Sequence, residues 1–249
     1  GVSLFVLFGD LGLYCLDMDG IVQWEHRLEA QQSFLNYGAA ASPVVHDDQV
    51  IMVYDNMKSS YVASYDTKSG KEKWRTDRDS KSTWATPFVW ETASRTEIIV
   101  AGKREIISYD LAGDSLWSLE GRMSNLIIPS PFATGDLLYV TSGYVGDAHR
   151  PTYAIRPGAK GDISLDDDAI SNEFVSWYHP KTGPYNTTPI VYRNRYFTLH
   201  DRGFFTCHDS KTGEEIYDRQ RMPAGATFTA SPWAYNGKVF CLSEDGNTY

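Results

Sequence analysis

No run of about eighteen apolar residues occurs, so no segment reads as a transmembrane helix. Cysteine is scarce: Cys15, Cys207 and Cys241 stand alone, with no CxxC pair. That excludes a disulfide framework and a zinc-ligand pattern. Basic residues are in deficit, with 23 Lys plus Arg against 32 Asp plus Glu and a net charge of −9. An acidic chain repels phosphate backbones, so nucleic acid is not an expected partner. Helical periodicity is almost absent. The opening stretch, residues 2–8 (VSLFVLF), has neither a basic flank nor a small-residue cleavage site and does not read as a signal peptide. What the 249 residues do contain is 42% apolar and 14% aromatic side chains, enough for a large β-rich core.

Two interleaved repeats organise the chain. In the first, a small residue precedes Asp by two, and Gly and an aromatic follow. It occurs as Cys15-Leu16-Asp17 with Gly20 and Trp24, Ser64-Tyr65-Asp66 with Gly70 and Trp74, and Ser108-Tyr109-Asp110 with Gly113 and Trp117. Cys207-His208-Asp209 with Gly213 and Tyr217 is a late copy. Ala154-Ile155-Arg156 with Gly158 and, after an insertion, Trp177 is a weaker one. The second marker ends in proline: Ser42-Pro43, Thr86-Pro87, Ser130-Pro131, Thr188-Pro189 and Ser231-Pro232. Each period of roughly 40 to 50 residues reads as four strands, the signature of a propeller blade. In the second unit these are residues 41–45, 49–54, 61–65 and 71–75, with Asp66 to Gly70 as a bulged hairpin turn. Proline cannot donate to a ladder, which suits the innermost strand of a blade, an edge. The small residues before each Asp suit close packing between blades.

The run Ala63-Ser64-Tyr65-Asp66-Thr67-Lys68-Ser69-Gly70-Lys71-Glu72-Lys73-Trp74 resembles the tryptophan-docking repeat of pyrroloquinoline-quinone-like propellers, and Ser243 to Tyr249 is similar to blades of that superfamily. The resemblance implies an all-β fold in which Trp24, Trp74, Trp117 and Trp177, with Tyr217 in the fifth copy, pack on the next blade beside the turns of Asp17, Asp66, Asp110 and Asp209. Strand counting predicts four whole blades (31–78, 82–121, 122–180, 181–222) and two partial ones (1–28, 223–249), an open arc; the resemblance implies a ring of seven or eight blades.

Loops that enter each first strand share a face with those joining second and third strands. The candidate ligand face there comprises Tyr37, Trp84, Asn125, Tyr185 and Asn186 from the entry loops, with Asp10, Arg104 and Arg202 from the second set. Polar and aromatic groups so placed suit a peptide or a small planar or carbohydrate-like ligand. Asp166-Asp167-Asp168 lacks the spacing and glycine of a calcium loop and reads as a solvated acidic insertion. The six histidines (His26, His46, His149, His179, His200, His208) show no paired metal spacing. Asn186-Thr187-Thr188 is an N-x-T sequon. No nucleophile elbow and no adjacent cysteine pair occurs, and no residue is assigned a catalytic role. The expected function is a non-catalytic binding or scaffolding propeller without cofactor, periplasmic or secreted in a bacterium. The same resemblance also implies an alternative, an alcohol or sugar dehydrogenase using pyrroloquinoline quinone with calcium.

Overall fold

A computed structural model describes every residue except 1, 10, 31 and 224. The first sheet is β1 (Leu4–Phe8), β2 (Gly12–Leu16) and β3 (Val22–Arg27). The second is β4 (Val44–His46), β5 (Gln49–Tyr54), β6 (Ser60–Asp66) and β7 (Glu72–Arg78). The third holds β8 (Phe88–Glu91), β9 (Thr96–Ala101), β10 (Glu105–Tyr109) and β11 (Ser115–Glu120), and it gains a fifth strand discussed below. After it come β12 (Phe132–Thr134), β13 (Leu137–Thr141) and β14 (Thr152–Ile155). A short β15 (Gly161–Asp162) precedes β16 (Val175–His179), which completes the fourth sheet. The fifth is β17 (Ile190–Tyr192), β18 (Arg195–His200), β19 (Phe204–Asp209) and β20 (Glu215–Arg221); the last is β21 (Trp233–Tyr235) and β22 (Lys238–Phe240). Four whole antiparallel blades between two partial ones form an open arc of a β-propeller.

The core lies between blades, because every central strand is covered on both faces. In β5 all six residues are buried. Val50, Met52 and Tyr54 face the first blade with Leu13, while Ile51 and Val53 face the third with Ile98 and Val100. The two-residue period of a strand thus feeds two interfaces at once. Each fully buried aliphatic side chain contributes about 1.5–3 kcal/mol.

The repeat markers hold these interfaces. Cys15, Ser64, Ser108, Ala154 and Cys207 stand directly opposite Trp24, Trp74, Trp117, Trp177 and Tyr217 across the third and fourth strands. Trp24 donates its indole N–H to Thr67 O at 3.1 Å, Trp74 to Leu111 O at 2.9 Å and Trp177 to Ser210 O at 2.9 Å. Each acceptor follows the turn aspartate of the next blade. Those aspartates accept turn N–H groups on Oδ1: Asp17 from Asp19 and Ile21, Asp66 from Lys68 and Ser69, Asp110 from Ala112 and Asp114, Asp209 from Lys211 and Thr212. The turn glycine lies flat on the ring. At Gly70 (φ 69°) a Cβ would come within 2.6 Å of Trp24, and at Gly213 (φ 74°) within 2.8 Å of Trp177. Two residues past the tryptophan, His26, Thr76 and His179 bond the carbonyls of Gly70, Gly113 and Gly213.

Trp117 departs from this pattern, and the cause is the insertion in the next blade. There the turn is Arg156 to Gly158, and a Cβ on Gly158 would meet nothing within 4 Å. Trp117 instead donates to Glu97 Oε2 at 2.6 Å, alongside Ser108 Oγ at 2.6 Å, while Arg95 Nε reaches Oε1 at 2.9 Å. The acidic insertion turns back, and β15 pairs in parallel with β11 through Trp117↔Gly161 and Ser118↔Asp162. Ala159 and Ile163 are buried against the third blade's core, with Leu165 and Phe174 packed beside them. The insertion is therefore anchored by these apolar side chains, while Asp166, Asp167 and Asp168 are exposed.

The proline marker has a second role. Ser42 N–H donates to Thr86 Oγ1 at 3.1 Å, Ser130 N–H to Thr188 Oγ1 at 3.1 Å, and Thr188 N–H to Ser231 Oγ at 2.9 Å. The hydroxyls before Pro87, Pro189 and Pro232 thus each satisfy a neighbouring blade's backbone donor where no strand ladder is available. Among the described residues no helix is long and apolar enough to cross a membrane.

Candidate functional site

Four consecutive blades meet at one depression. Tyr37 and Ala40 come from the entry to the second blade, Trp84 from the third, Leu126 and Ile128 from the fourth and Tyr185 from the fifth, around a cavity of about 230 Å³. Trp84 is 8% exposed and forms the floor; Tyr37 is 59% exposed and forms a wall. Their ring centroids lie 6.1 Å apart, and Tyr144 meets Tyr185 edge-on at 5.2 Å. Burial, then the neighbouring Tyr37, Tyr144 and Asp201, raise the Tyr185 phenol above its ordinary value, so it stays a neutral donor. Phe34 and Leu35 of the first entry loop, with Tyr144 and Val145 of the β13–β14 loop, leave further apolar surface exposed.

The loops are laced to one another, which fixes the aromatic positions. Trp84 Nε1 donates to Gly38 O at 2.8 Å and its backbone N–H to Ile127 O at 2.8 Å. Phe34 N–H donates to Ser82 Oγ at 2.9 Å, and Gly38 N–H to Ser33 Oγ at 2.7 Å. Beneath Trp84 lies an ion pair that the sequence did not announce. Arg78 Nε donates to Asp55 Oδ1 at 3.0 Å with the side chains 1% and 0% exposed. Arg78 Nη2 and Thr83 Oγ1 reach Asp55 Oδ2 at 3.3 and 3.0 Å, and Arg78 Nη1 donates to Tyr109 OH at 2.9 Å. Thr83 precedes Trp84, so this network ties the floor of the depression to two blades.

The remaining candidates on this face lie elsewhere. Asn125 is held by Asp147, which accepts its backbone N–H at 2.6 Å and its Nδ2 at 2.7 Å. Asn186 is half-buried beside Tyr185. Arg104 pairs with Asp79 at 3.0 Å in a separate groove toward the blade edge. Arg202 lines a different cavity with Arg150 and Arg219. Asp10 lies outside the described residues. Burial and neighbouring cations lower His200 to about 4, and burial with His179 lowers His208 to about 4. His26 and His179 serve the interface bonds above, and His46 sits between Asp47 and Glu91. Among the described residues no group of three or more His, Cys, Asp or Glu is arranged to hold a metal ion. The buried cysteines Cys15, Cys207 and Cys241 are all free. Among the described residues the side chains gathered on this face do not form the carboxylate ligand set of a calcium–quinone centre.

A propeller of tryptophan-docked blades with an aromatic depression where its entry loops meet is the class these features define. The profile of a pyrroloquinoline-quinone-like repeat family described as outer membrane protein assembly factor BamB matches residues 2–156, more than half of the chain, and the chain belongs to that family. The crystal structure of BamB from Moraxella catarrhalis superposes with a TM-score of 0.64 at 15% identity, over 100% of this chain and 66% of that one. The computationally designed Ika8 protein superposes at 0.63 with 13% identity, over 100% of this chain and 67% of that one. At these identities the likeness concerns the fold, and the chain spans about two thirds of either structure. No curated protein matches the chain.

Proposed function

We propose that this chain is a non-catalytic scaffold of the bacterial envelope, which grips a protein partner at the aromatic channel mouth. The observation that carries the reading is the convergence of Tyr37, Trp84 and Tyr185 with Leu126 and Ile128 on one depression. An apolar floor under rigid aromatic walls suits an apolar anchor side chain of a partner, the usual centre of a protein interface. Tyrosine and tryptophan offer large contact area at little cost in side-chain entropy. Family membership supports an assembly role at the outer membrane and hence a periplasmic location.

The test is capture from a bacterial envelope extract, identification by mass spectrometry, and a repeat with the purified partner. Tyr37→Ala combined with Tyr185→Ala should weaken binding at least tenfold while far-UV circular dichroism stays unchanged. Tyr235→Ala, at an exposed tyrosine ending β21 at the opposite end of the blades, should have no effect. Undiminished binding by the double variant would remove this face from the mechanism.

A further inference from the structure

A second cavity lies between the fourth and fifth blades on the same face, about 280 Å³ in volume. Its wall carries three guanidinium groups. Arg150 comes from the loop before β14, Arg202 from the β18–β19 loop and Arg219 from β20. Among the described residues none of the three makes an ion pair with a carboxylate. Concentrating unneutralised arginines is unfavourable, and more notable in a chain of net charge −9. Burial and then the charge of Arg219 push Arg150 below its ordinary value, and the opposing pull of Asp201 does not offset them. Asp201 sits on the lining as the single carboxylate, and His200 is neutral at pH 7 because its value is lowered to about 4.

The other wall is apolar. Val145 and Phe204 line the cavity, and the Phe204 ring lies beneath Arg219 at 5.9 Å and Arg221 at 5.1 Å. Three lining arginines against Asp201, with Arg221 and Asp218 close by, leave the notch net positive. A phosphate monoester carries about −1.5 to −2 at neutral pH and accepts guanidinium donors in pairs. The cavity is larger than a bare phosphate, which leaves room for an organic group against Phe204 and Val145.

We infer that this notch is a binding site for a phosphate monoester, its dianionic head held by Arg150, Arg202 and Arg219 and its organic part laid on Phe204. The head belongs either to a free small molecule or to a monoester phospholipid. The site does not depend on the aromatic depression for its chemistry.

Isothermal titration of the 249-residue chain with phenyl phosphate tests it, with inorganic phosphate and phenol as partial probes and phosphatidate against phosphatidylcholine vesicles as the lipid arm. Saturable binding of phenyl phosphate, stronger than that of inorganic phosphate and absent for phenol, is expected for a free ligand. Selective cosedimentation with phosphatidate vesicles assigns the head to a lipid. Either should weaken at least tenfold in Arg150→Gln with Arg219→Gln, and in the exposed single variant Arg202→Gln should weaken severalfold. Arg104→Gln, already paired with Asp79, should leave it unchanged. Binding in neither arm, or binding that survives the paired substitution in a folded variant, overturns the assignment.

Discussion

Removing the Asp55 side chain should unfold far more than a surface carboxylate would. Asp55→Ala deletes the acceptor of three hydrogen bonds, two from Arg78 and one from Thr83, in a place where both charged side chains are 0–1% exposed. Arg78 is then left buried with Tyr109 OH as its remaining side-chain partner. Breaking one half of a buried pair costs about 3–5 kcal/mol, because the surviving charge has no water to turn to. With a urea slope of about 1–3 kcal/mol per molar, the midpoint should fall by roughly 1 to 5 M. The companion variant, Asp55→Leu with Arg78→Met, removes both charges and fills the space, and should recover most of the loss. Urea titrations followed by circular dichroism measure this. Amide exchange should rise at residues 82–85, since Thr83 loses its anchor. A loss under 1 kcal/mol for Asp55→Ala, or a double variant no better than the single, would refute the reasoning that this pair holds the floor of the depression.

Gly213→Ala and Gly158→Ala separate turn strain from ring contact. Both residues have positive φ, 74° and 85°, so each substitution costs about 1 kcal/mol or more in backbone strain. Only the Gly213 Cβ meets an indole, so overpacking should add about 1–3 kcal/mol there; equal losses on thermal denaturation would deny the docking role. Stability should also depend on pH through His200 and His208. Their folded values are lowered from 6.5 to about 4, so the unfolded chain binds more protons between those limits. The stabilisation is therefore complete above about pH 6.5 and is lost as pH falls toward 4, by up to about 3 kcal/mol per histidine. His200→Gln with His208→Gln should flatten the pH 4–6.5 slope of the urea midpoint; an unchanged slope would mean these rings titrate normally. The turn carboxylates Asp66 and Asp209, held low chiefly by hydrogen bonds from Ser69 and Thr212, lose their contribution below that window.

The repeat was legible because its markers meet local demands of the backbone. Asp66 caps its own turn, Gly70 supplies a positive φ, and Ser64 faces Trp74 at a spacing set by one hairpin. What those residues do across blades was less legible. Ser64 and Ser108 read as small packing residues, yet their hydroxyls donate to the buried Gln49 and Glu97, and Trp117 joins the second of these. The hydroxyls of Thr86, Thr188 and Ser231, each just before a proline, likewise serve a donor on another blade, a pairing fixed by the stagger between sheets. The β15 addition left almost no trace, since two residues carry no periodicity; its signal was the spacing of apolar Ala159, Ile163 and Leu165 within a polar insertion.

Position around the face was readable, and distance from the channel axis was not. Entry loops start beside the innermost strand, so Tyr37, Trp84 and Tyr185 arrive together whatever their sequence separation. The loops joining second and third strands lie farther out, and their length decides where a side chain ends. That is why Arg104 stops at Asp79 while Arg202 joins Arg150 and Arg219. Asp55 sits in one such loop and reaches inward to Thr83 only because Arg78 closes over it from the outer strand. The inner ring of loops thus presents apolar aromatic surface, and the outer ring adds charge beside Tyr144 and Val145. A partner or ligand spanning both rings meets an apolar anchor site first and a charged rim beyond it, the ordering by which interfaces separate affinity from specificity.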